Sequence, residues 1–375
     1  MKYRSSALLS LLFILTVQYS YAQSIRKLNL LGEYDVPYNL SFRNTTVGGL
    51  SGIDYDAKHK IYYLISDDRS AINPARFYTA KLFFTEKGID SVAFTGVKYM
   101  LQANGTAYPN SKQDPAHTPD PESIRYNATT HQLIWTSEGE RIVKAKDTVL
   151  ENPAITIMST DGKFIDSFPL PVNLRMHAFE KGPRQNGVLE GATFSKDYKQ
   201  FYVNVEEPLY EDGTRAETEP NDAWIRLFKF NTATKKNIAQ YAYHIDPVAH
   251  PAITKEAFKI NGVPDILWLN DQQLLVMERS FSTGRLACTI KIYLADLHKA
   301  SNVMNNSSFK KNSSFVSASK KLLLNMDTLG RYIDNVEGMT FGPTLPNGHR
   351  TLLMIADNNF SPVEKTQFFL FEVIP

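Results

Sequence analysis

The sequence has a single cysteine, Cys288, in 375 residues, which excludes the disulfide framework that staples small secreted domains. It has no excess of charge either: 41 Lys and Arg stand against 39 Asp and Glu, a formal +2. A chain this neutral offers no basic surface for nucleic acid or an anionic membrane, and neither is expected as a partner. With 19 Gly and 19 Pro it is neither collagenous nor low-complexity. Past the first two dozen residues no apolar stretch approaches the roughly 20 residues of a membrane-spanning helix. Several catalytic signatures are missing as well. There is no H-E-x-x-H, no G-x-x-x-x-G-K-[ST] and no Arg-His-Gly stretch. Gly49-Leu50-Ser51-Gly52-Ile53 falls one residue short of a G-x-S-x-G elbow and precedes a strand, not a helix.

What is present is a core-forming composition, 43 % hydrophobic, with 22 Phe and 19 Tyr that favour strands. The length would allow two domains, but large all-β domains run beyond ~250 residues as one unit, and one domain over 23–375 is expected. The N-terminus reads as a signal peptide over 1–22. Lys2 and Arg4 form the positive n-region, Ala7 to Val17 the apolar run, and Ser20-Tyr21-Ala22 the cleavage site. Without Lys2 and Arg4 the count is 39 charges of each sign. No cysteine follows the apolar run, so no lipid anchor is expected. The reading is an exported bacterial protein, periplasmic or secreted, without a membrane anchor and monomeric. Cys288 reads as a core residue.

An internal repeat decides the fold. A short acidic or glycine-containing turn leads into a strand, a polar gap follows, and a β-rich run ends in carboxylates. The copies are Gly49–Asp54 with Ile61–Asp68, Asp120–Ile124 with Leu133–Glu138, Val188–Phe194 with Phe201–Glu207, Val263–Leu267 with Leu274–Arg279, and Asn335–Phe341 with Leu352–Asn358. From Ser51 through Glu122, Glu190, Asp265 and Glu337 the steps are 71, 68, 75 and 72 residues, too regular for chance. Each unit carries a third alternating run, such as Ile225–Phe230, and most a fourth, such as Ile238–Tyr243. Four-stranded units repeated radially predict an all-β propeller. The count is five blades; the long connections 98–118 and 170–186 leave six open. The fifth unit runs out of chain before its fourth strand, so Leu28–Tyr34 is expected to supply it and close the ring.

In a propeller the start of the innermost strand and the end of the second lie at one face. The repeat puts carboxylates at both: Glu122, Glu190, Asp265 and Glu337 at the first, and Asp67, Asp68, Glu138, Glu206, Glu207, Glu278 and Asp357 at the second. Acids that close raise one another's pKa and call for a cation. Calcium, which takes several carboxylate oxygens in flexible geometry, is the expected cofactor. Its expected ligands are Asp67, Asp68, Glu122, Glu138, Glu190, Glu207, Glu337 and Asp357. Arg69 and Arg279 follow acids directly, and Arg76, Arg125 and Arg285 sit nearby; guanidinium groups suit anion recognition. The alternative is that each acid is architectural, bonding backbone amides of a neighbouring blade. Of the eight histidines, His177, near Arg175, Lys181 and Arg184, is the best acid–base candidate.

At Gly49–Asp54 with Ile65–Arg69, Asp120–Tyr126 with Thr136–Glu140, Val188–Phe194 with Val205–Pro208, and Asn335–Pro343 with Ile355–Phe360, the chain resembles the phytase-like family, "esterase-like activity of phytase". The resemblance implies an exported bacterial propeller with esterase-like activity. It supplies no agreed catalytic set, and the fourth unit departs from its pattern. The expected function is therefore metal-assisted hydrolysis of a small phosphate or carboxylic ester. Glu190, Glu337 and Glu206 would act on water, with Arg69 or Arg279 on the anionic group. A non-catalytic propeller that binds a ligand or partner through the same mouth is the alternative.

Overall fold

The computed structural model describes residues 25–375; the expected leader, 1–22, lies outside the described residues. Five four-stranded antiparallel sheets are arranged as a β-propeller. Blade 1 runs from the axis outward as Leu50–Asp56, Ile61–Ser66, Arg76–Thr85 and Gly88–Tyr99. Blade 2 is Pro121–Asn127, Gln132–Ser137, Ala154–Ser159 and Phe164–Ser167; blade 3 is Leu189–Phe194, Gln200–Val205, Trp224–Asn231 and Asn237–His244. Blade 4 is Lys259–Asn270, Gln273–Ser282, Thr289–Asp296 and Ser319–Asn325. Blade 5 is Asn335–Thr344, Arg350–Asp357 and Thr366–Ile374, and its outer strand is the N-terminal Lys27–Val36. That strand pairs antiparallel with the last, from Lys27 opposite Ile374 to Val36 opposite Thr366, so the ring closes as the sequence predicts.

The blade count is five, not six. The connection after Tyr99 holds only a lone bridge between Leu101 and Ala107, and 170–186 holds one 3-10 turn, Val172–Leu174. The polar gap of each repeat is the hairpin between its two inner strands. In blades 1, 2, 4 and 5 an Asp or Asn side chain folds back onto amides two residues on: Asp56 onto Lys58, Asn127 onto Thr129, Asn270 onto Gln272, Asn347 onto His349. These residues make that turn cheaply because the short polar side chain substitutes for a backbone acceptor.

The apolar core lies between blades as a ring. Its largest part joins blades 2, 3 and 4 around Leu189, Phe201, Phe228 and Ile266; others join blades 4 and 5, 5 and 1, and 1 and 2. Near the axis neighbouring inner strands approach closely at the repeat's glycine. A Cβ on Gly191 would lie 2.5 Å from the Asp265 Cα of the next blade, so the Glu-Gly pair of the repeat places an acid where only glycine can follow it.

A guanidinium plugs the channel. Arg125 of blade 2 is buried and donates to carbonyls or carboxylates of all four other blades: Ile53 at 2.5 Å, Ala192, Met339 at 3.1 Å, and the Asp265 carboxylate at 2.6 and 2.7 Å. Asp265 in turn accepts the Met339 amide at 2.8 Å. Arg125 is therefore the hub of the inner ring, not a residue for binding an external anion. Burial raises the Asp265 carboxyl to about 6, with Arg125 pulling it back.

Candidate functional site

The mouth is built by a backbone irregularity common to all blades. Each inner strand slips register near its start: between Leu50 and Gly52, Pro121 and Ile124, Leu189 and Ala192, Gly262 and Asp265, and Val336 and Gly338. A bulge releases a residue from the ladder and re-aims its side chain. In blades 2, 3 and 5 the released residues include Glu122, Glu190 and Glu337. In blade 1 the residue is Ser51, whose hydroxyl bonds the Glu122 carbonyl at 2.9 Å. In blade 4 it is Val263-Pro264, so Asp265 falls beyond the bulge, at the plug and not at the mouth.

Above the plug lies a cavity of about 680 Å³, lined by nine acidic side chains and three arginines, Arg215, Arg279 and Arg285. Six of the eleven acids expected at the mouth are there: Asp67, Glu122, Glu138, Glu190, Glu206 and Glu337. Asp120, Asp334 and Glu364 complete the lining. Asp120 is not among the acids that the repeat pattern places at the mouth. The available signal was Asp120-Pro121-Glu122, since acids two apart on an extended segment point to one side.

The other expected positions are engaged elsewhere. Asp68 accepts the amides of Ala71, Ile72 and Asn73 at 2.8 to 3.1 Å and pairs with buried Arg76 at 2.6 Å, so both its oxygens are engaged in anchoring a loop and it does not line the cavity. Glu278 is held by Tyr243, Asn261, Lys320 and the Asp246 amide. Glu207 pairs with Arg215 at 2.9 Å outside the cavity lining, its carboxyl raised by burial to about 8. Asp357 is wholly buried, and repulsion with Asp67 adds to the burial that raises its pKa; its Oδ2 has no partner. Arg69 does not line the cavity: it binds Glu140 at 2.6 Å and stands 3.7 Å from Asp120, which makes it a brace for that acid. His177 is likewise absent from the lining; its ring lies on Phe179, centroids 5.0 Å apart. Cys288 is buried as expected but touches the cavity edge, and burial lifts its thiol to about 12.

Of the three arginines that line the cavity among the described residues, Arg279 is the one clamped between two of its acids. Its Nη2 donates to Glu206 at 2.6 Å and its Nη1 to Glu337 at 3.0 Å and to Asn335, while its Nε has no partner. Gly262 makes the Glu206 contact possible, since a Cβ there would lie 2.6 Å from that carboxylate. The acids farther from Arg279 lack such relief. Burial, then repulsion from Glu190, Asp120, Glu138 and Glu337, lifts Glu122 well above the usual carboxylate range. Glu190 is raised by burial and then by Glu138, Glu206 and Glu337, with Arg279 opposing. Glu138 accepts the Gly187 and Val188 amides at 2.6 and 2.5 Å, which partly offset its burial. Glu337 rises to about 8, chiefly by burial, against the pull of Arg279.

One oxygen each from Asp120, Glu122 and Glu138 lies within 4.8 Å of the others. Hard oxygen donors at that spacing, their pKa values raised by burial and then by mutual repulsion, suit calcium or magnesium and not a soft metal. The arrangement offers three things: a place for a hard cation, a fixed guanidinium, and carboxyl groups able to exchange protons near neutral pH.

Among solved structures, the chain is similar to the GH43 β-1,3-galactosidase BT3683 with galactodeoxynojirimycin, at 10 % identity, covering 90 % of this chain and 94 % of that one, TM-score 0.49. It is similar to an α-L-arabinofuranosidase from Lactobacillus brevis at 9 % identity, covering 87 % and 91 %, TM-score 0.44. A gluconolactonase from Xanthomonas campestris aligns at 9 % identity over 89 % and 88 %, TM-score 0.34. Likenesses this distant carry no chemistry across. No curated protein matches the sequence. The Phytase-like family, described as "Esterase-like activity of phytase", matches residues 45–360, which takes in all five bulged inner strands and every acid of the mouth except Glu364. The chain belongs to the Phytase-like family.

Proposed function

We propose that this propeller is an exported, monomeric hydrolase of small phosphate or carboxylic esters that works at the acidic mouth with a bound divalent cation, calcium by the chemistry of its donors. The observation that carries the reading is the set of buried acids, Glu122 and Glu190 above all, held together at the mouth without enough positive charge to pair them. Burying like charges costs stability unless a ligand repays it, and family membership points toward hydrolysis. Asp120, Glu122 and Glu138 would hold the cation, with the unpaired buried Oδ2 of Asp357 in reserve behind Asp67. When bound, it would supply Lewis-acid polarisation of an ester oxygen and a lowered pKa for water. Glu190 faces the cavity; with the repulsion of its neighbours relieved by the cation it would give up its proton, take one from the attacking water, and pass it to the departing alcohol as the ester bond breaks. Arg279, fixed by Glu206 and Glu337 on the cavity wall, is the guanidinium placed to meet the anionic or carbonyl oxygen. Its position fits that role better than that of Arg69.

A non-catalytic ligand-binding propeller is favoured by one observation: among the described residues that line the cavity there is no histidine, serine or threonine. Turnover of a phosphomonoester, phytate and a short-chain acyl ester, each with and without chelator, separates the two readings. Hydrolysis lost on chelation and restored by calcium is the expected result. The same titration should move stability: a ligand at a hundredfold excess over its Kd adds about 2.7 kcal/mol. EDTA should therefore lower the melting temperature and calcium restore it. An unchanged transition would remove the metal from the proposal.

A further inference from the structure

Blade 4 differs from the others in height. Its two inner strands, Lys259–Asn270 and Gln273–Ser282, are 12 and 10 residues long, against 7 and 6 in blades 1 and 2, 6 and 6 in blade 3, and 10 and 8 in blade 5. The surplus lies on the mouth side. Beyond the Gly262–Arg279 pair, the ladder continues through Asn261–Ser280, Ile260–Phe281 and Lys259–Ser282. Side chains alternate across a strand, so Phe281 shares a face with Arg279, two residues and about 7 Å along. Ile260 stands opposite Phe281, and the Phe258 ring lies 6.2 Å from it, centroid to centroid. Phe258 and Leu286 are 55 % and 76 % exposed, yet both line the cavity with Phe281 and Ile260. Core packing does not account for large apolar side chains left open on one wall of an otherwise acidic cavity.

We infer that the mouth takes a ligand with two unlike ends: an oxyanion or ester carbonyl at Arg279, and an aromatic or similarly bulky apolar group on the Phe281–Leu286 wall. This rests on the hydrolase reading only in calling the ligand an ester; the apolar subsite stands on the geometry of blade 4. A polyphosphorylated substrate suits the cavity poorly, because nine carboxylates face three arginines and every further anionic group adds repulsion. An aryl or long-chain monoester instead gains burial of its apolar part against the wall.

The test uses two non-hydrolysable probes, phenylphosphonate and methylphosphonate. Their anionic head resembles both a phosphate ester and the tetrahedral intermediate of carboxylic-ester hydrolysis. Calorimetric titration of the full chain, without metal and with calcium or magnesium, should give phenylphosphonate an affinity at least tenfold above that of methylphosphonate. Leu286→Ala and Phe281→Ala should each remove most of that ratio while leaving methylphosphonate binding intact. Leu286 is exposed enough that its substitution leaves the fold unaffected. Equal affinities, a ratio unmoved in Leu286→Ala, or no binding of either probe under any metal condition would overturn the inference. Preferential phenylphosphonate binding by a protein that hydrolyses no ester would uphold the apolar subsite and sink the hydrolase reading.

Discussion

Two levels of one channel handle buried charge in opposite ways. At the plug, Arg125 meets Asp265 with two hydrogen bonds and spends its other donors on carbonyls of three more blades. At the mouth, a few ångströms along the same strands, Glu122 and Glu190 press on each other and on Glu138, and Arg279 serves only two of the acids. Buried charges that are fully paired hold a ring together; buried charges of one sign wait for something to bind. The contrast separates architecture from function within a single repeat motif.

The largest effect should come from opening the ring. Deleting residues 25–36 removes the outer strand of blade 5 and exposes the edge of Thr366–Ile374, so plug and mouth lose their frame together. We expect no cooperative thermal transition by circular dichroism. A native-like melting curve would show that closure by this strand is dispensable. Next in size is Arg125→Met, which strands a buried carboxylate and should cost about 3–5 kcal/mol in denaturant unfolding. Arg125→Met/Asp265→Leu should recover part of that loss; equal destabilisation of single and double variants would deny the plug its electrostatic character.

The mouth should respond in the opposite sense. Glu190→Gln keeps shape and removes one of the repelling charges. Stability near neutral pH should hold or rise, while ester turnover falls by roughly 10²–10⁴-fold, the usual contribution of a general base. Glu337→Gln should also lower turnover, but it loses a partner of Arg279 and so gains less stability. Full turnover together with a stability loss of about 1–3 kcal/mol would make these acids structural acceptors. The smallest effect is the pH dependence of the metal-free protein. Glu337 titrates near 4.5 when exposed and at about 8 when folded, so between those values the native state holds more protons than the unfolded chain. Stability contributed by its protonated form is fully present below about pH 4.5 and is lost as pH rises through about 8. The melting temperature in EDTA should fall across that window, and calcium should flatten the slope. A melting temperature rising with pH would contradict the raised acids.

The division between what was legible and what was not follows from the range of the interactions. The four-stranded repeat, its strand order and closure by Leu28–Tyr34 could be read because each depends on alternation and turn chemistry within a repeat, as Asp56 and Asn127 illustrate at their hairpins; only the long connections left the blade number between five and six. Which acids share the mouth was only partly legible. Asp67 and Asp68 are neighbours in sequence, yet adjacent residues of an extended chain point apart. One reaches the cavity, and the other is consumed by three amides and Arg76. Asp265 and Glu190 occupy the same place in the repeat, but the Val263-Pro264 bulge carries Asp265 down to the plug. Arg125 gave no local sign of its role, since its partners lie 67 to 214 residues away. The repeat thus pointed to a ring of five blades, six being left open by the long connections, with acids toward one end. Only closure of that ring decided which charges are neutralised by a neighbouring blade and which are left facing one another, because pairing across an axis depends on residues that no local pattern connects.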